Sequence, residues 1–227
     1  KTQLRALLRA ALFGDVRIML PLIVTLDEVR AARRLLREAS DELTARGVEH
    51  RSDVPLGVMI ETPAAAIGAD ILAPEVAFFS IGTNDLVQYT LAVDRGNVNL
   101  ASRFTPLHPS VLRLIRRTVQ AGTAAGLEVA VCGEMASQPL MAFALIGLGV
   151  RQLSVGAQSV ALVKRVIRGI SVDVARAAAD SAMLAGTAEE VEQVLRAAVR
   201  SAFGDAPFLR YGLPVKGDLD MFGDAGA

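Results

Sequence analysis

Five short runs rich in Val, Ile, Leu and Phe punctuate the chain, and each gives way to a stretch with helical spacing. The runs are VRIMLPLIV (Val16 to Val24), VPLGVMIE (Val54 to Glu61), VAFFSI (Val76 to Ile81), EVAVCGE (Glu128 to Glu134) and the short RQLSVG (Arg151 to Gly156). Runs of this length predict strands, and their nearly continuous apolar character predicts burial on both faces, as in a parallel sheet. Between them the spacing predicts helices. Thr25 and Glu28 form a capping box opening a helix that stops near Gly47. Pro63 suits the first turn of the helix PAAAIGADILA. Further helices are predicted near Leu86 to Leu91, from about Pro109 to Ala125, over PLMAFALIGLG and over SVALVKRVIRG, and an initial helix, LRALLRAALF, precedes the first strand.

Strands alternating with helices predict an α/β fold built on a parallel sheet. The polar residues fall just after the strands: Glu61, Asn84 and Asp85, Cys132 and Glu134, and Ser154. A (β/α)8 barrel keeps its chemistry at that end of its strands. Five units do not close such a barrel, so the chain is expected to supply its last five-eighths, as a piece of something longer. From Ser171 onward the pattern changes to two Ala-rich helices, the second opened by a capping box of Thr187 and Glu190. The expected division is barrel over residues 1–170, packing helices over 171–208 and a loose Gly- and Asp-rich tail over 209–227.

Composition narrows the classes. The 24 basic and 24 acidic side chains balance, so no net positive surplus points to nucleic acid or anionic lipid. One cysteine excludes an intrachain disulfide and agrees with a reducing, cytoplasmic setting. No apolar run is long enough for a membrane span. No Gly-rich dinucleotide fingerprint or P-loop occurs, which weakens a nucleotide-binding doubly wound sheet.

Glu61 and Asp85 end successive predicted strands, 24 residues apart, so their carboxylates are placed to share one cation. Hard oxygen ligands with open positions suit Mg²⁺ or Mn²⁺. The alternative is a pair of solvated strand ends. Cys132 stands at a strand end beside Gly133, where a thiol can transfer a proton, although a lone Cys is more often inert packing. Arg17 and Arg95 are candidates for gripping an anion. His50 reads as a surface residue and His108 as structural.

The segments GVMIETPAAA, FFSIGTNDLVQYTLAVDRGN, PLHPSVLRLI and VCGEMA stand together in one order and spacing. In these, from about Leu4 to about Ile170, the chain resembles the phosphoenolpyruvate-binding domain of Enzyme I of the bacterial phosphotransferase system. Pyruvate phosphate dikinase and phosphoenolpyruvate synthase share related blocks, and QYTLAVDRGN favours Enzyme I over them. The resemblance implies a (β/α)8 barrel that binds phosphoenolpyruvate with Mg²⁺. It implies transfer of the phosphoryl group to a histidine on another domain and then to the carrier HPr, releasing pyruvate, and a homodimeric assembly. Carried over by motif, Glu61 and Asp85 hold the metal, Asn84 contacts the phosphate, Arg17 and Arg95 clamp the substrate, and Cys132 protonates the enolate. The family's phosphohistidine motif is absent, and GEMASQ stands where GEMAGD is usual. The other readings are a metal-dependent lyase or aldolase acting on pyruvate enolates, and a non-enzymatic dimerisation module.

Overall fold

A computed structural model describes residues 1–94 and 96–203. Five parallel strands run side by side in chain order: β1 (Ile18–Leu20), β2 (Leu56–Ile60), β3 (Phe78–Gly82), β4 (Glu128–Cys132) and β5 (Gln152–Leu153). This is the α/β repeat expected, with five consecutive βα units and each crossover carrying helices. The crossovers hold α1 (Thr2–Ala10) before the sheet, then α2 (Leu26–Ala45), α3 (Pro63–Ile67), α4 (Ala69–Leu72), α5 (Thr83–Leu91), α6 (Pro109–Ala124), α7 (Glu134–Ser137), α8 (Pro139–Gly147) and α9 (Val160–Gly169). Two further helices, α10 (Val172–Ala182) and α11 (Ala188–Phe203), pack on α8.

The strands are shorter than the apolar runs that announced them. β1 covers three residues, because Pro21 lacks an amide for the ladder and Leu22 turns into the left-handed region at φ 51°. The helix expected over PAAAIGADILA breaks at Gly68 into α3 and α4. α5 starts at Thr83 rather than near Leu86, which puts Asn84 and Asp85 in its first turn. Both capping boxes form their reciprocal bonds. The Glu28 carboxylate accepts from the Thr25 amide at 2.8 Å, and the Glu190 carboxylate from the Thr187 amide at 3.1 Å.

Strand alternation sorts the side chains into two faces. Val58, Ile60, Phe79, Ile81, Val129 and Val131 point to the helices and join one large core with residues of α6, α8, α10 and α11. Ala175, Ala179, Val191 and Leu195 belong to that same core, so the last two helices complete the hydrophobic layer over α8. Ile18 and Leu56 share a smaller core with α1 and α2. The opposite face carries Gly57, Met59, Phe78, Ser80, Gly82, Ala130 and Cys132, and it leads upward to Glu61. This face is concave. Arg17 at the start of β1 forms an ion pair with Glu128 at the start of β4, across two intervening strands. On a flat sheet those strands would stand about 14 Å apart, so the sheet curls as a barrel wall does.

Candidate active site

The carboxyl ends of β1, β2, β3 and β4 bring Glu61, Asn84, Asp85 and Cys132 to one rim. Glu61 follows β2 and is 3% exposed. Its Oε1 accepts from the Leu22 amide at 2.7 Å, so the left-handed turn after Pro21 aims a backbone donor at a buried carboxylate. Burial pushes the Glu61 carboxyl above the usual carboxylate range; the Leu22 amide opposes this, and the neighbouring Asp85 charge adds to the rise. Asp85 lies within hydrogen-bonding reach of Glu61 and lines a cavity of about 370 Å³ together with Asn84, Gln88 and Gly96.

Two carboxylates crowded at a buried rim destabilise each other unless a cation lies between them. Among the described residues no group of three or more His, Cys, Asp or Glu side chains assembles. The chain therefore offers two hard oxygen donors and leaves the rest of a coordination shell to water and substrate. That donor set fits Mg²⁺, which dehydrates reluctantly and takes one or two carboxylates beside phosphate oxygens.

Gly82 is what gives Glu61 room. A Cβ there would lie 2.7 Å from Glu61 Oε2 and 2.9 Å from Met59 Sδ. The thioether can swing aside, whereas the carboxylate is held by Leu22. Gly82→Ala is expected to displace Glu61, costing about 1–3 kcal/mol of stability and removing any rise in melting temperature on adding Mg²⁺. Paired thermal melts with and without the cation check this, and an undiminished Mg²⁺ response would show that Glu61 keeps its place.

Cys132 closes β4 opposite Gly82 in the register and is partly exposed. Its Sγ accepts from the Ser80 hydroxyl at 3.4 Å and lies 3.5 Å from the Ile81 carbonyl, to which the thiol donates. Thr83 Oγ1 donates to the Cys132 carbonyl at 3.1 Å. The chain then turns through Gly133 at φ 101°, and the Glu134 amide donates to Asn84 Oδ1 at 3.2 Å. This bond orients Asn84 and leaves its amide nitrogen as the end able to donate elsewhere.

Arg17 is not brought to this rim. It precedes β1 and lies at the amino ends of the strands, where it pairs with Glu128 and stacks 5.7 Å from the Phe78 ring centre. Gln152 Nε2 donates to the other Glu128 oxygen at 2.8 Å, so these side chains close the floor of the concave face. The expectation that Arg17 clamps substrate is corrected by this placement, a strand length from Glu61. Its sequence signal, a charge entering an apolar run, was that of a residue with a partner inside the wall. Arg95 lies outside the described residues, as do 209–227. Ser154 contributes its backbone, donating to the Val131 carbonyl at 2.9 Å. His50 is held by Ser40 and the Val48 carbonyl, and His108 caps α6 by accepting from the Ser110 amide. Sequence reading missed the Leu22 amide, Ser80 and Thr83. Ser80 was within reach of it, since period-two alternation puts Ser80 and Gly82 on one face.

Comparisons with known proteins bear on this geometry. A family model described as "PEP-utilising enzyme, PEP-binding domain" matches residues 1–172. A phosphoenolpyruvate-protein phosphotransferase of Haemophilus influenzae is 42% identical over 193 residues, 85% of this chain and 34% of that protein. The protein of the same name from Geobacillus stearothermophilus is 43% identical over 191 residues, 84% of this chain and 33% of its own length. The chain thus spans about a third of the length of these curated relatives. Among solved structures, a citrate lyase from Burkholderia xenovorans LB400 superposes with a TM-score of 0.51 at 19% identity, covering 91% of this chain and 69% of that one, which is a likeness of fold. Among the described residues no helix is long and apolar enough to cross a membrane. With the family match running from the first residue through α9, the chain belongs to the PEP-binding domain family of the PEP-utilising enzymes.

Proposed function

We propose that this chain is the phosphoenolpyruvate-binding part of a phosphoenolpyruvate–protein phosphotransferase. Such an enzyme passes the phosphoryl group to a histidine on another domain and then to an HPr-like carrier, releasing pyruvate. The observation that carries this reading is the Glu61–Asp85 carboxyl pair set beside Asn84 and Cys132 at the carboxyl ends of parallel strands. Bound between those carboxylates, Mg²⁺ or Mn²⁺ would neutralise charge on the substrate's phosphate and carboxylate. Asn84, fixed by the Glu134 amide, turns a donor toward a phosphate oxygen. Arg95, by its DRGN motif, is the residue we assign to the anionic substrate. When the phosphorus–oxygen bond breaks, the enolate of pyruvate remains. The Cys132 S–H then breaks, its electron pair stays on sulfur, and the enolate's π pair takes the proton at C3. The relatives support this assignment over a pyruvate-enolate lyase, because they share its name along the whole matched stretch. The same reading carries a cytoplasmic homodimer.

Calorimetric titration with phosphoenolpyruvate, with and without Mg²⁺, tests it. Binding that appears only with the cation is the expected result. A folded chain that binds equally well without it would overturn the assignment of Glu61 and Asp85, and absence of binding both here and in the complete barrel domain would overturn the reading as a whole.

A further inference from the structure

We propose that Ser80 is a positioning residue for the Cys132 thiol, holding the sulfur at the rim and stabilising the charge it acquires on giving up its proton. The proposal rests on the reading of Cys132 as the proton donor. Ser80 lies on the concave face of β3, is only 8% exposed, and directs its hydroxyl at Cys132 Sγ from 3.4 Å. In the register Ser80 pairs with Ala130, and Gly82 with Cys132. The position opposite the cysteine therefore has no side chain, and nothing on β3 stands between the hydroxyl and the sulfur.

The two contacts of the thiol respond oppositely to loss of the proton. The S–H donates to the Ile81 carbonyl, 3.5 Å away. Once the proton moves to C3, that carbonyl oxygen faces a negative sulfur and gives it nothing. The Ser80 O–H does the reverse: a neutral hydrogen bond becomes a charge-assisted one, and such bonds are roughly twice as strong. Ser80 thus favours the thiolate over the thiol and keeps the sulfur in one rotamer through both states. Thr83, which donates to the cysteine's backbone carbonyl, fixes the strand end without touching the sulfur.

Cys132 is the chain's single cysteine, so alkylation by iodoacetamide followed against pH reports this sulfur alone. Ser80→Ala is expected to move that profile toward higher pH and to slow alkylation near neutral pH about tenfold, from loss of a hydrogen bond to the charged form. Ser80→Thr keeps a hydroxyl and should return the profile most of the way. Thr83→Val should leave the midpoint in place. The charged groups on the elements around the thiol are Glu61 after β2, Asp85 on α5 and Glu134 on α7. They are the same in every variant and cancel in the comparison. Melting curves confirm that each variant is folded, and Ser80→Gly removes the same hydroxyl should the alanine variant not fold. An unmoved midpoint in a folded Ser80→Ala chain, or an equal shift from Thr83→Val, would overturn the proposal. The assay contains no phosphoenolpyruvate, so its outcome is separate from the calorimetric one: failure there with success here would leave the Ser80–Cys132 pair standing and remove only its assigned reaction.

Discussion

Glu61→Gln is expected to abolish Mg²⁺-dependent binding of phosphoenolpyruvate and, at the same time, to raise the melting temperature of the ligand-free chain at pH 8. The two effects have one cause. The Glu61 carboxyl is buried beside Asp85 and is pushed above its ordinary value of 4.5. The folded chain therefore holds this proton more tightly than the unfolded chain does. The stability it contributes is fully present below the ordinary value and is lost as pH rises through the raised one. Above that window the ligand-free protein carries two neighbouring carboxylates that only a cation reconciles. Gln keeps the oxygen that accepts from Leu22 and removes the charge. A gain of a few degrees follows, the shift that about 1 kcal/mol produces in a chain of this length. The same change removes half of the charged donor set. Outer-sphere changes at metal sites cost about 10–100-fold in affinity, so the loss of a direct ligand should exceed about a hundredfold. Melts at pH 8 with and without Mg²⁺, set beside the calorimetric titration, check both halves. A variant that still needs Mg²⁺ to bind, or that melts lower than the unsubstituted chain, would separate Glu61 from the cation.

How much of this was legible in the sequence depended on the distance over which each signal acts. The βα order was legible, because apolar runs and helical spacing are local and repeat five times. Glu61, Asp85 and Cys132 were legible as strand-end residues for the same reason, once the strands were placed. Boundaries were less so. The first run reads as a strand through Pro21 to Val24, although the missing proline amide is a local signal for the end of β1. The left-handed Leu22 and its bond to Glu61 depend on β2 lying alongside. Arg17 shows the limit most clearly. Its motif suggested an anion clamp, but its partner Glu128 stands 111 residues away and meets it only because the sheet curls. No local pattern carries that curvature. Ser80 illustrates an intermediate case. Alternation fixes its face, while the sulfur it serves is on the next strand.

Gly133→Ala is expected to be the most damaging single methyl that can be added at this rim. Gly133 has φ 101° and ψ 179°, a region that side-chain-bearing residues scarcely occupy. A Cβ there would lie 2.4 Å from Thr83 Oγ1 and 3.2 Å from Asn84 Oδ1. Backbone strain of this kind costs about 1–3 kcal/mol, and overpacking about as much again. Neither neighbour can retreat cheaply. Thr83 is wholly buried and holds the Cys132 carbonyl, and Asn84 holds the Glu134 amide. Relief at Gly133 therefore means moving Cys132 or Asn84. Gly126 supplies the control. It too has positive φ, at 70°, but an added Cβ meets nothing within 4 Å. Gly126→Ala should cost only the strain of a left-handed alanine, about 1 kcal/mol, and leave Cys132 as reactive toward iodoacetamide as before. Gly133→Ala should melt about 10 °C lower, at the 2–4 °C per kcal/mol typical of this size, with altered Cys132 alkylation in whatever fraction stays folded. Equal melting of the two variants would mean that Thr83 and Asn84 yield freely. The rim would then be a loosely held loop rather than the fixed corner on which the placement of Asn84 and Cys132 depends.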